Sequence, residues 1–277
     1  YKDVDPELIS HEEARNLGLG QLHATALVTH AGRLYLAGDS TLAVISTAGE
    51  LLQRFGIFPG PASLLVEEGR AYVGYKTFVA VYSLDGTLQG RWEDLGDRAV
   101  ITGLAAKEER IYVADAGNRK VMIYRTDGSL LGAFEGKAVS VAGHGFNVPC
   151  ANFDLAVYPY GELWVVNQGG HALENYSDDG RMRGYWEHAS FGIEGFLGCC
   201  NPARITFMED GSMVTSEKGL VRIKIYSPSG SLRSVVAGPR LFKEEGKAPD
   251  VAVWGDTIYA LDPDRNVVRI FEPKDNG

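Results

Sequence analysis

Three cysteines, two aspartates and an arginine are the residues whose types and spacing invite chemistry. Cys150 lies in VPCANFD, and Cys199 and Cys200 stand together in CCNPAR. Thiols brought to one place have four outcomes. They pack as small apolar groups, or they form a disulfide. A bridge could be vicinal, between Cys199 and Cys200, or run from Cys150 to one of them, which needs a Cα separation of about 5.5 Å. They could instead hold a metal or an iron–sulfur cluster. The adjacent pair, however, lacks the C-x-x-C spacing that turns two thiolates toward one metal. Or one of them serves as a catalytic thiol, with a base such as His144, His171 or His188 beside it. All four readings stay open on the residues alone.

These residues are positioned by a motif that the chain repeats. YSLDG (Tyr82 to Gly86), YRTDG (Tyr124 to Gly128), YSDDG (Tyr176 to Gly180) and YSPSG (Tyr226 to Gly230) recur, with weaker copies at Ile45 to Gly49 and Phe271 to Gly277. A period of roughly 40 to 50 residues is that of propeller blades. Each copy sits in a set of four short β-rich runs, and the D-G or S-G step reads as a hairpin turn. No long stretch has a helical period. The expectation is an all-β, six-bladed β-propeller with four antiparallel strands per blade, formed by residues 1–277 as one domain. The last unit stops soon after its third strand. Residues around His11 to Leu17 are expected to supply the fourth and close the ring, removing two open sheet edges.

Aligning the first strand of each blade gives one column facing the central channel: Thr25, Ser63, Gly103, Asp154, Arg204 and Asp250. Arg204 falls between Asp154 and Asp250 in blade order. Such a trio either plugs a polar channel as an ion-paired cluster, because buried charges need partners, or anchors a carboxylate or other small anion. Cys150 and Cys200 lie four residues before this column on adjacent blades, so both are expected on the same rim. The longest connections, Glu135 to Ala151, Glu187 to Pro202 and Gly238 to Ala248, gather there too, and long ordered loops often carry function. Their aromatic residues, including Phe146, Phe196 and Phe242, either fold the loops down or line a pocket. Second-to-third-strand loops add Asn167, His171, Glu217 and Lys218 to the same face. Glu217 beside Lys218 reads most simply as a solvated pair, and His171 as a turn cap. A zinc site from His144, His171 and His188 with Cys150 would need a spacing that the chain does not show.

Composition narrows the classes. The chain has 277 residues, 45% apolar and 23% charged, with a formal net charge of −9. That charge disfavours a nucleic-acid or anionic-membrane role. No run reaches the length of a transmembrane helix. P-loop, G-x-S-x-G and EF-hand patterns are absent.

Ile101 to Gly128 and Asp250 to Phe271 resemble NHL-type six-bladed propellers. In that family an Asp ending the second strand and a following Asn-Arg pair shape the next turn. Asp115, Asn118 and Arg119 match this pattern, and Asp262, Asp264 and Arg265 match it loosely. Blades 1 and 2 depart from it, at Asp39 and Lys76. Gly195 to Tyr226, with its GCCNP and TSEKG pair, is similar to a bacterial group of NHL-repeat proteins, many of them exported. The resemblance implies a bacterial source and a periplasmic or envelope location after leader removal, and it brings no reaction. Some NHL-type propellers carry metal-dependent lyase sites on this face, but their three-His set has no clear counterpart here. The expected function is a non-catalytic module that binds a protein partner or a small ligand on the channel face over blades 4 to 6. The alternatives are a redox or metal protein built on Cys150, Cys199 and Cys200, and a metal-dependent lyase or hydrolase.

Overall fold

A computed structural model describes residues 3–137, 144–198 and 200–274. Among these residues, twenty-four strands form six four-stranded antiparallel sheets. The inner strands are Ala24–His30, Ser63–Glu67, Ile101–Lys107, Leu155–Val157, Arg204–Phe207 and Asp250–Trp254, one for each of blades 1 to 6. Each inner strand touches the next, and the sixth touches the first, so the ring closes. His11–Gly18 pairs antiparallel with Val267–Pro273 and completes blade 6, from His11 opposite Pro273 to Gly18 opposite Val267. The expected architecture and its closure by an N-terminal strand are both observed. Among the described residues, no helix is long and apolar enough to cross a membrane.

The repeated motif is explained by packing between blades. The motif tyrosines Tyr82, Tyr124, Tyr176 and Tyr226 end third strands and are buried, at 4% exposure or less. Each meets an aromatic ring that ends the fourth strand of the preceding blade. Trp92 lies 4.8 Å from Tyr124, Phe134 lies 4.7 Å from Tyr176, and Trp186 lies 4.8 Å from Tyr226. Such pairs contribute about 1 kcal/mol beyond the area they bury. The motif glycine completes the joint. Gly128 has φ +89°, and a Cβ there would stand 2.5 Å from the Trp92 ring. Gly86, Gly180 and Gly230 repeat this arrangement under Phe55, Phe134 and Trp186. A side chain would therefore meet both backbone strain and a clash.

The apolar core is accordingly divided among the seams. One cluster joins blades 1 and 2 through Tyr35, Leu42, Leu64 and Tyr82, and another joins blades 3 and 4 through Tyr112, Phe146, Phe153 and Tyr176. Polar contacts lock the same seams near the channel. Thr25 donates through Oγ1 to Pro61 O (2.6 Å), and Ser216 donates through Oγ to Pro249 O (2.6 Å).

Candidate functional site at the channel mouth

A register shift between Ile101 and Gly103 makes a bulge at Thr102. A bulged residue leaves the ladder, and both polar groups of Thr102 turn to other blades. Its Oγ1 donates to Phe153 O at 2.5 Å, and its carbonyl accepts from Arg204 Nη1 at 2.9 Å. Arg204 opens the inner strand of blade 5. Its guanidinium lies 3.8 Å from Asp154 Oδ1 and 3.9 Å from Asp250 Oδ1. Each carboxylate has a second task. Asp154 Oδ2 accepts the Ile205 N–H (2.9 Å), and Asp250 Oδ2 accepts the Leu27 N–H (2.8 Å). The three charged residues thus sit together in the channel and stitch blade 4 to 5 and blade 6 to 1. Burial, only partly offset by Arg204, pushes the Asp154 carboxyl up to about 7. Burial also raises Asp250. On one side of the trio lies the channel, with a cavity of about 320 Å³ that Thr29, Ser63, Thr102 and Asp154 help to line.

On the other side, at the rim with the long connections, lies a pocket of about 480 Å³. Arg204, Lys218, Lys247, Asp250, Cys150 and Asn152 form its polar side. Ala24, Ala248, Leu261 and Pro263 form its apolar side.

The rim around this pocket is cross-braced. Cys150 and Cys200 are joined in a disulfide across blades 4 and 5, with Cα atoms 6.1 Å apart. Of the sequence alternatives, the cross-blade bridge is the one formed. Joined to each other, these two sulfurs offer no thiolate to a metal, an iron–sulfur cluster or a substrate, and of the readings open for them the disulfide is the one observed. Cys199, the third expected sulfur, lies outside the described residues. Lys218 Nζ stands 3.1 Å from Cys150 Sγ. Gln168 donates to Cys150 O (3.0 Å). Asn201 donates to Leu197 O (2.7 Å) and accepts the Lys218 N–H (2.9 Å). Gly219 N–H reaches Gly246 O at 2.7 Å, tying the blade 5 turn to the 238–249 connection.

Several expected site residues serve this bracing and do not face the pocket. His171 adopts a left-handed conformation (φ 51°), and its Nδ1 donates to Asn201 O at 3.0 Å. Asn167 is buried and holds the 144–154 segment, accepting from Asn147 N (2.8 Å) and donating to Gly145 O (3.1 Å). His144 does not join the cysteines. Its Nε2 donates to Glu174 at 2.9 Å, and its ring packs edge-on to Tyr185.

Glu217 requires a correction. It is fully buried, not solvated beside Lys218. Arg222 pairs with it through Nε (3.0 Å) and Nη2 (2.5 Å), and Lys224 Nζ lies 3.0 Å away. Lys224 then donates to Ile193 O (3.0 Å) and Gly195 O (2.6 Å), which holds the 188–203 connection against the blade. Burial pulls the Lys224 ammonium down to about 8 against the attraction of Glu217. Glu174 anchors the neighbouring connection in the same way, accepting from His144, Asn167 and Tyr176.

Glu174, Arg222 and Lys224 are absent from the sequence-based site. A signal for two of them exists, because Glu174 and Lys224 share the inward face of their strands with Tyr176 and Tyr226, two residues on. The loop aromatics mostly fold down: Phe146, Phe196 and Phe242 are buried, whereas Phe191 is 70% exposed. Asp115 accepts from Asn118 N and Nδ2, and Asp262 accepts from Asp264 N and Arg265 N, so both shape their turns. Among the described residues, no three His, Cys, Asp or Glu side chains are placed to hold a metal ion.

No family model and no curated protein matches the chain. Solved structures do match. A streptogramin B lyase structure aligns over 98% of this chain and 100% of its own, at 9% identity and a TM-score of 0.67. A protein of unknown function from Bacteroides thetaiotaomicron aligns over 95% of this chain and 73% of its own, at 16% identity and a TM-score of 0.64. The WD40 β-propeller domain of Doa1 covers 90% of this chain and 79% of its own, at 16% identity and a TM-score of 0.61. Likeness at such identity is likeness of fold. The resemblance to NHL-type propellers rests on the motifs quoted above.

Proposed function

We propose that the chain is a non-catalytic binding module that receives a small ligand or a protein partner on the rim over blades 4 to 6. One observation carries this reading: the pocket at the channel mouth is framed by connections held rigid by a disulfide and by buried ion pairs. A rim already ordered before binding avoids the entropic cost of immobilising loops. Nothing about the bracing requires a reaction. Two of the imidazoles weighed for a metal-dependent lyase or hydrolase are turned to separate partners, His144 to Glu174 and Tyr185 and His171 to Asn201. The disulfide favours an oxidising compartment such as a periplasm or cell envelope.

The test is hydrogen–deuterium exchange on the purified chain against a chemically diverse small-molecule set and candidate protein partners. Protection is expected in 144–154, 188–203 and 238–249. Turnover of any compound that is abolished by Asp154→Asn or Arg204→Ala would overturn the non-catalytic reading.

A further inference from the structure

The charge at the channel mouth runs against that of the chain. The whole sequence carries −9, yet the pocket gathers Arg204, Lys218 and Lys247 with a single acid, Asp250. Arg204 has its counter-charges in Asp154 and Asp250. The two lysines are different. The Lys218 ammonium points at a disulfide sulfur, a weak acceptor. Lys247 uses its backbone N–H on Asp264 Oδ2 and presents an exposed side chain to the pocket. Clustered cations in a concave site repel one another until an anion joins them.

The opposite wall has another character. Ala24, Ala248, Leu261 and Pro263 offer no charged group. A volume of about 480 Å³ suits a molecule of several heavy atoms, and an inorganic ion would leave most of it empty.

We infer that the pocket binds a small organic carboxylate, its anionic group between Lys218 and Lys247 and its aliphatic body against the apolar wall formed by blades 1 and 6. This rests on the binding-module reading and names the ligand class for it. The floor is compatible with such a guest. Burial raises Asp250, the one acid of the lining, and pushes Asp154, beyond Arg204 in the channel, up to about 7, so near and below neutral pH an entering carboxylate meets less repulsion. Charge-assisted hydrogen bonds to a carboxylate are stronger than neutral ones, so the lysines should dominate affinity.

The experiment is isothermal titration calorimetry of the full chain with pentanoate, with pentanamide as the neutral analogue of similar shape and with phosphate as the inorganic anion. Pentanoate is expected to bind, and to bind more weakly as salt screens the lysines. Pentanamide and phosphate are expected to bind at least about tenfold more weakly. Lys218→Gln combined with Lys247→Gln should weaken pentanoate by about tenfold or more, with a circular dichroism spectrum like that of the parent. Each single variant is measured too, so a misfolded double variant leaves the comparison intact. The assignment fails if pentanamide or phosphate matches pentanoate, if the lysine variants bind pentanoate as the parent does, or if pentanoate produces no heat. A different ligand that protects this rim and ignores both lysines would end the carboxylate assignment alone. Turnover would end the binding-module reading instead.

Discussion

Burial drives the Asp154 carboxyl up to about 7 from an ordinary value of 3.8, and that displacement has a definite sign in stability. Between these values the folded protein holds a proton that the unfolded chain has released. Stability therefore falls as pH rises from about 4 to about 7, then levels off. Asp154→Asn removes this slope and leaves an oxygen able to accept the Ile205 N–H. The variant is expected to gain on the parent between pH 5 and pH 8, by on the order of 2 kcal/mol. Comparing the two proteins at each pH cancels opposing titrations such as that of His11, whose pKa burial lowers. Melting temperatures across that range check this, and a parallel pH dependence in both proteins would refute it.

The channel trio was legible in the sequence because inner strands align by their apolar runs, which fixes neighbouring positions without any side-chain detail. Glu217 was not legible, whereas Lys218 lines the pocket on the expected face. Consecutive residues leaving a strand point to opposite sides, so one enters the blade to meet Arg222 and Lys224 while the other faces the pocket. Spacing along the chain carries no record of which side a loop will cover.

At the scale of elements, the long connections of blades 4 and 5 behave as one unit because the Cys150–Cys200 bond joins them. The bond closes a chain segment of 50 residues. The chain-entropy model assigns such a closure about 4 kcal/mol. Replacing both cysteines with serine is expected to lower Tm by roughly 5–10 °C. A reductant should lower Tm by a similar amount in the parent and have no effect on the double variant. Differential scanning calorimetry with and without dithiothreitol decides this, and a parent indifferent to reductant would contradict it. Strands and their order could be read from the repeat, because each blade restates its Tyr-to-Gly motif. The pairing of the cysteines could not, since it depends on the paths of two connections that share no pattern. Cys150 and Cys200 were placed on one rim by blade alignment, but only their Cα separation of 6.1 Å selects the bond between them.

For the whole molecule, the ring depends on a strand borrowed from the opposite end of the chain. His11–Gly18 supplies the outer strand of blade 6, and Glu13 forms a partly buried ion pair with Arg269 at 2.5–2.8 Å. The preceding residues extend the seam, because Ser10 N–H donates to Val235 O in blade 5 and Ser10 Oγ donates to Ser234 Oγ. Removing residues 1–18 would strip blade 6 of its edge cover. Val267–Pro273 would then present unpaired N–H and C=O groups, and Arg269, 6% exposed in the intact ring, would keep the carboxylate of Asp262 without that of Glu13. Bare strand edges recruit other strands, and Arg269, still paired with Asp262, loses the closer of its two carboxylates. Against a total stability of roughly 5–15 kcal/mol, the truncated chain is expected to lose its cooperative melt or to self-associate. A synthetic peptide of residues 3–18 added in trans should restore a monomer with a raised Tm. Size-exclusion chromatography and thermal melts give the answer, and a truncated chain that stays monomeric and melts with the parent would show that the ring does not need its closing strand.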